Sequence, residues 1–286
     1  MRYYFPVLAG ILPILIAFGT FAAADAREKR AQEQRLPYPD SETLPGGNIV
    51  RKYFKGKSGG ISYCLITENM TRSGTPSMVL ILHGKSGCGT DNTRQLTSPA
   101  VKSLLDFVRS SGEKVIIIAP QCPPDRDWVR GGAGSMLAVA AELTAEQCRE
   151  FRIPPEKTYI TGVSMGGGAC YAMMSSCPGM FAKAIVVSAG GRPSSAAGLN
   201  GGFYIVHGEN DRLIPVEKAR ETARALAQDR KNQVIFKSLP GKGHVDGAQA
   251  ACTKECWRWL FRQNNQNRGR SAAVQAIPVC KSRSHT

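Results

Sequence analysis

The sequence is poor in histidine and has no arrangement of histidine and cysteine that matches a zinc site. Its 286 residues include four histidines and nine cysteines. Cys252 and Cys256 lie four residues apart on a predicted helix, but no histidine or second cysteine pair lies nearby at zinc spacing. We therefore predict no metal site and expect these two cysteines to pack in the core or to form disulfides.

The sequence also lacks internal repeats and any recognisable nucleic-acid-binding motif. It has 37 Lys and Arg against 22 Asp and Glu, which gives a net charge of +15, but the basic residues are spread along the chain. We therefore predict no nucleic-acid partner. The charge has two interpretations: a solvated basic surface, or attraction to an anionic envelope surface or to acidic substrates.

Only one apolar run approaches the length of a membrane span, and it lies at the N-terminus. Residues 3–21 follow Arg2, and residues 22–26 offer two small-x-small cleavage sites. We predict a signal peptide over residues 1–26 and a periplasmic or secreted protein; the alternative is an uncleaved anchor. In an exported chain several cysteines are expected to form disulfides, and their odd number leaves at least one unpaired in a monomer.

The remaining sequence alternates predicted strands with predicted helices. Residues 27–47 form a polar lead-in, residues 48–263 one folded domain, and residues 264–286 a basic tail. The predicted strands are residues 49–54, 61–67, 78–82, 115–119, 158–161, 184–188, 203–206 and 234–239. This alternation predicts an α/β fold with a mostly parallel sheet of about eight strands, flanked by helices, with an antiparallel pair at one edge.

A G-x-S-x-G motif, from Gly162 to Gly166, lies where a predicted strand meets a predicted helix. Such a corner holds its central residue in a strained backbone conformation, and side chains at the flanking glycines would collide with neighbouring segments. Strand–turn–helix context is typical of a nucleophile elbow, and the helix N-terminus favours negative charge. We therefore predict Ser164 as a nucleophile.

A serine hydroxyl is a weak nucleophile and needs a base that removes its proton. In proteins whose serine lies in a nucleophile elbow, the histidine base comes after the serine in the sequence. Three histidines follow Ser164: His207, His244 and His285. We predict His244 as the base, because it lies in a glycine-rich turn between a predicted strand and the last helix. His207 is expected to shape a turn, and His285 lies in the tail.

The acid that orients the base is expected after the strand at residues 203–206. Asp211 lies in the segment that follows, so we predict Asp211 as the third member of the triad. Glu209 and Asp246 are alternatives for the same role.

An oxyanion hole needs two preorganised N–H groups. We predict the Met165 amide, which follows the nucleophile, and the Lys85 amide, in the loop after the strand at residues 78–82. Gly84 lets the backbone turn towards the substrate, and the ring of His83 is expected to brace this loop.

With these motifs the chain resembles the α/β-hydrolases. Within them it resembles the exported esterases related to polyhydroxybutyrate depolymerases, feruloyl and acetylxylan esterases and dienelactone-hydrolase-like enzymes. The matching stretches are residues 80–84, 119–122, 162–167, 207–211 with 214–215, and 243–244. The resemblance implies a catalytic domain over residues 48–263 that hydrolyses carboxylic esters, small or polymer-linked, through an acyl-enzyme and without a cofactor.

The connection at residues 189–202 is too short for a cap domain, so we expect an uncovered site that suits polar or bulky esters. Trp128 is a candidate for stacking on a sugar or aromatic ring of the substrate, with core packing as its alternative role. Two rival functions remain open at this point. One is a serine peptidase of the prolyl-oligopeptidase type, although the chain lacks the large gating domain of those enzymes. The other is a non-enzymatic envelope-binding protein on a hydrolase scaffold.

Overall fold

A computed structural model describes residues 42–44, 47–130, 135–191 and 199–262. The strands are β1 (Glu42–Leu44), β2 (Gly47–Gly56), β3 (Gly59–Glu68), β4 (Ser77–Leu82), β5 (Val115–Gln121), β6 (Thr158–Val163), β7 (Lys183–Val187), β8 (Gly202–Gly208) and β9 (Gln233–Leu239). The α-helices in these ranges are α1 (Pro99–Ser111), α2 (Leu137–Glu150), α3 (Met165–Ser176), α4 (Val216–Ala227), α5 (His244–Ala251) and α6 (Lys254–Phe261).

All the strands belong to one sheet, in the order β1-β2-β3-β5-β4-β6-β7-β8-β9. The pairs β1–β2, β2–β3 and β3–β5 are antiparallel, and every other neighbouring pair is parallel. The predicted sheet of about eight strands with an antiparallel edge is therefore confirmed. The additional strand is β1, which comes from the segment predicted as a lead-in and pairs Glu42 with Ile49.

The central strands are buried on both faces. All the residues of the five strands β4, β5, β6, β7 and β8 are buried. This burial explains why these strands do not alternate apolar with polar residues. One face packs against α2, α3 and α4 and the other against α1, α5 and α6. The core thus fixes the carboxyl ends of the parallel strands at one edge of the sheet.

Two connections determine what lies above those strand ends. The segment from β7 to β8 has fourteen residues, of which 192–198 lie outside the described part of the chain. It is too short for a cap domain, as predicted. The last predicted helix, at residues 245–263, is instead two helices, because Thr253 has extended backbone (φ −94°, ψ 163°) and begins a new one.

Several cysteines are buried thiols in the structure rather than disulfides: Cys88, Cys122, Cys148, Cys170, Cys252 and Cys256. The predicted pairing therefore does not occur among these six. Burial raises the pKa of the Cys148 thiol to about 11 and that of the Cys256 thiol to about 12. Such thiols are poor nucleophiles at neutral pH.

The predicted signal peptide at residues 1–26 and the predicted tail at residues 264–286 lie outside the described residues. In the part of the chain that the structure describes, no helix combines the length and the apolar character that crossing a bilayer requires.

Candidate active site

Ser164 lies at the corner between β6 and α3, with φ 55° and ψ −113°. Its amide donates to the Val187 carbonyl (2.9 Å), and its own carbonyl accepts from the Gly168 amide (3.0 Å). A positive φ is unfavourable for a residue with a side chain, so the surrounding hydrogen bonds must hold it. The strained serine that the motif predicts is present.

The glycines around Ser164 allow backbone segments to touch. A Cβ atom at Gly166 would overlap the Leu82 carbonyl at the end of β4, and one at Gly162 would overlap the Gly166 carbonyl. β4, β6 and the start of α3 therefore approach too closely for any side chain at these two positions.

His244 is the first residue of α5 and lies between Ser164 and Asp211. Its Nε2 is 2.9 Å from Ser164 Oγ, and its Nδ1 is 2.7 Å from Asp211 Oδ2. Since an ionised carboxylate only accepts hydrogen bonds, Nδ1 carries the proton and Nε2 accepts from the serine hydroxyl. The three predicted residues thus form one hydrogen-bonded chain.

Close contact between two loops brings His244 and Asp211 together. A Cβ atom at Gly208, the last residue of β8, would overlap the backbone carbonyls of Lys242 and Gly243. The Asn210 amide also donates to the Lys242 carbonyl (2.8 Å). The loop that carries the acid therefore rests directly on the backbone of the loop that carries the histidine.

The Asp211 carboxylate has several donors. Its Oδ1 accepts from the Leu213 and Ile214 amides, each at 2.9 Å. Burial opposes the charge, but the hydrogen bonds from Ile214, His244 and Leu213 hold the pKa of this carboxyl below its usual range. Asp211 is therefore ionised at neutral pH.

The alternative acids are engaged elsewhere. Glu209 Oε1 accepts from Ser238 Oγ (2.7 Å), and Asp246 Oδ1 accepts from the Gly243 amide (2.8 Å) at the start of α5. The structure brings neither carboxylate to the His244 ring, in contrast to Asp211.

Residues 83–89, here called the His83 loop, approach Ser164 from the end of β4. A Cβ atom at Gly84 would lie 3.3 Å from the Val163 carbonyl and 3.6 Å from Ser164 Cβ. Lys85 begins a short 3-10 helix, and Met165 begins α3, positions whose N–H groups have no partner inside the helix. Both predicted amides are therefore at helix N-termini beside the serine, whereas Lys85 Nζ is directed to the Pro124 carbonyl (2.8 Å).

The His83 ring braces this loop, as expected. The Cys122 amide donates to Nε2 (3.0 Å), so the proton lies on Nδ1, which donates to the Gly84 carbonyl (2.7 Å). Burial, reinforced by the nearby Lys85 charge, lowers the pKa of His83 to about 4. The ring is consequently neutral and carries both hydrogen bonds at neutral pH.

Gln121 also supports the His83 loop, a role that none of the sequence motifs predicts. Its Nε2 donates to the Gly87 carbonyl (3.4 Å) and to Asp91 Oδ1 (2.7 Å), while its Oε1 accepts from the Asn92 amide (2.6 Å). The available signal was a polar residue two positions after the predicted apolar strand at residues 115–119, since a buried amide must find partners.

The prediction that Trp128 stacks on a substrate ring is wrong. Its side chain is fully buried, with 0% of the residue exposed, so no face of the indole can meet a ligand. Its Nε1 donates to the His83 carbonyl (3.0 Å), and the two rings meet edge to face at 5.1 Å. Trp128 instead has the alternative role, packing beneath the His83 loop.

Two apolar side chains next to Asp211 and His244 are exposed. Leu213, two residues after the acid, is 74% exposed, and Val245, next to the histidine, is 67% exposed. Within the described ranges, no group of three or more His, Cys, Asp or Glu side chains could hold a metal ion.

No family model matches the chain. A stretch of 74 residues is 34% identical to Esterase LipC of Mycobacterium tuberculosis. The matched stretch makes up 24% of this chain and 18% of LipC. A thermostable esterase structure superposes with a TM-score of 0.64 at 25% identity, over 75% of this chain and 63% of the other.

A feruloyl esterase module from Clostridium thermocellum, in complex with sinapinate, superposes with a TM-score of 0.58 at 17% identity. That match covers 80% of this chain and 94% of the other. The structural neighbours are esterases of the α/β-hydrolase fold, and the chain has this fold, as the resemblance implied. The chain spans less than two thirds of the length of the LipC relative and of the thermostable esterase.

Proposed function

We propose that this α/β-hydrolase chain is a serine hydrolase that cleaves carboxylic esters. The observation that carries the proposal is the hydrogen-bonded chain from Ser164 through His244 to Asp211, which begins at a strained elbow. The esterases among its structural neighbours and the LipC relative support the same class of reaction.

In the proposed mechanism Ser164 Oγ attacks the ester carbonyl carbon while His244 Nε2 takes the hydroxyl proton. Asp211 keeps the ring in the required tautomer and stabilises the imidazolium. The Met165 and Lys85 amides donate to the oxyanion, and Gly84 leaves room for the substrate. His244 then protonates the departing alcohol, and it deprotonates the water that hydrolyses the acyl-enzyme.

The proposed substrates are small or polymer-linked esters with a polar or bulky group. The short connection from β7 to β8 and the exposed Leu213 and Val245 support this class, because the described residues include no cap domain that could enclose a long acyl chain. The neighbour in complex with sinapinate makes hydroxycinnamate esters the first aromatic substrates to assay.

The test is hydrolysis of a panel of esters by the protein and by its Ser164→Ala variant. The panel contains p-nitrophenyl acetate, butyrate and octanoate, methyl ferulate, methyl sinapate and short hydroxybutyrate oligomers. We expect turnover of at least one ester, a loss of several orders of magnitude in the variant, and labelling of Ser164 by a fluorophosphonate. Cleavage of aminoacyl amides without any ester hydrolysis, or equal rates for both proteins, would contradict the proposal.

We also propose that the chain is exported, with residues 1–26 as its signal peptide, and that its +15 charge attracts it to an anionic envelope surface. Fractionation of cells that express the full chain tests export, and N-terminal sequencing of the product tests cleavage. Recovery of the uncleaved chain in the cytoplasm would contradict export.

A further inference from the structure

His207, the residue before the end of β8, contacts the same carboxylate as His244. Its Nε2 lies 2.8 Å from the Ile214 carbonyl and 3.1 Å from Asp211 Oδ2. Both of these oxygens only accept hydrogen bonds, because the Asp211 carboxyl is ionised. Nε2 of His207 therefore carries a proton and donates to the Ile214 carbonyl, and Asp211 Oδ2 lies beside the same N–H without a hydrogen bond of normal geometry.

The Asp211 carboxylate has three hydrogen-bond donors and one further polar N–H beside it. Oδ1 accepts from two backbone amides and Oδ2 accepts from His244 Nδ1 at 2.7 Å, while His207 Nε2 lies 3.1 Å from Oδ2. The three donors, together with the electrostatic attraction of the His207 N–H, engage both oxygens of the carboxylate. The carboxylate is thereby fixed in rotation about its Cβ–Cγ bond.

The position of His207 makes a histidine unexpected on packing grounds alone. His207 is 1% exposed, and Phe203 and Ile205, on the same face of β8, belong to the apolar core. Its Nδ1 has no hydrogen-bond partner among the described residues. An aliphatic side chain would fill this place without an unsatisfied buried nitrogen, so the ring is retained at a cost in free energy.

We propose that His207 is a positioning residue, which holds Oδ2 of Asp211 towards His244 and ties the carboxylate to the backbone at Ile214. The proposal rests on the proposed function, because it assigns the Asp211–His244 pair a catalytic role. Because the ring is buried, its removal leaves the Ile214 carbonyl without this donor.

Three variants separate positioning from packing. His207→Leu removes the donor, His207→Asn places an amide donor too far from Asp211, and His207→Gln places one near the position of Nε2. For the best ester of the panel we expect His207→Leu and His207→Asn to lower kcat by about 10- to 100-fold with little change in KM. We expect His207→Gln to stay within about 5-fold of the wild type.

Two nuclear magnetic resonance signals give readouts that need no turnover. The downfield proton between His244 Nδ1 and Asp211 should shift or broaden in His207→Leu and His207→Asn, but not in His207→Gln. In the wild type, a long-range ¹H–¹⁵N spectrum should show His207 protonated on Nε2.

A folded His207→Asn variant with wild-type kcat and an unchanged downfield proton would overturn the proposal, and so would a wild-type His207 protonated on Nδ1 alone. If the variants fail to fold, the wild-type spectrum still decides. If no ester is hydrolysed, the proposed function fails, while the two spectra still test the contact between His207 and Asp211.

Discussion

Two segments border Ser164, and different kinds of contact hold them in place. The elbow at residues 162–166 is fixed by backbone that touches backbone, through glycines close together in the sequence. The His83 loop also has backbone contacts at Gly84 and Gly89, but it depends in addition on distant side chains. The His83 ring accepts from the amide of a residue 39 positions later, and the Trp128 indole donates to the His83 carbonyl from 45 positions later. A local steric requirement leaves a motif in the sequence, whereas a long-range support leaves only isolated polar or aromatic residues.

The largest effect on stability is expected from a substitution that disrupts the elbow. Gly166→Ala places a Cβ atom against the Leu82 carbonyl, so we expect it to lower the free energy of unfolding by roughly 3 kcal/mol or more. Gly168→Ala is the matched control, because nothing lies within 4 Å of its Cβ position and alanine favours helix; it should gain roughly 0.5–1 kcal/mol. Urea unfolding of both variants measures the difference, and equal stabilities would contradict the steric account of the elbow.

The next largest effect is expected on kcat, from a substitution that removes only the backbone N–H donor of the His83 loop. Lys85→Pro removes the amide N–H, and the backbone tolerates proline there, because Gly84 before it is extended (ψ 179°) and Lys85 is the first residue of a helix. We expect kcat for the best ester to fall by about 10²–10³-fold. Lys85→Ala keeps the amide and should stay within about 5-fold. Similar kinetics for the two variants would mean that this amide does not hold the oxyanion.

The contribution of the His83 ring to the free energy of unfolding should depend on pH. The pKa of His83 is about 4 in the folded state against an ordinary value of 6.5, so the unfolded chain binds more protons between these two pH values. The stability contributed by the neutral ring is therefore present above pH 6.5 and is lost as the pH falls to 4, by about 3 kcal/mol in total. Urea unfolding from pH 7 to 4 should show a steeper loss for the wild type than for His83→Gln. Parallel curves would show that the ring does not supply this dependence.

The smallest effect concerns the tryptophan beneath the loop. Trp128→Phe keeps an aromatic ring but leaves the His83 carbonyl without its donor, so we expect a loss of about 1–2 kcal/mol in the free energy of unfolding. The KM ratio between methyl ferulate and p-nitrophenyl acetate should not change, because the indole does not reach the substrate. A selective rise in KM for the ferulate would restore the stacking role.

The same contrast explains how much the sequence could predict. The sheet and the elbow were predictable, because buried strands are continuous apolar runs and the corner needs Gly162 and Gly166. The prediction for Trp128 failed because exposure depends on what packs over a loop, which sequence spacing does not reveal. The contacts of Gln121 and of His207 depend on distances between segments that only the folded chain defines.

The order of the strands also sets the order in which the site can be completed. Ser164, Asp211 and His244 follow β6, β8 and β9, which lie in chain order on one side of β4. Because a chain is synthesised from its N-terminus, the elbow leaves the ribosome before the acid, and the acid before the histidine. Under the proposed mechanism, a nascent chain that ends at β9 has its serine but no base, so hydrolysis waits until α5 has been made and has docked.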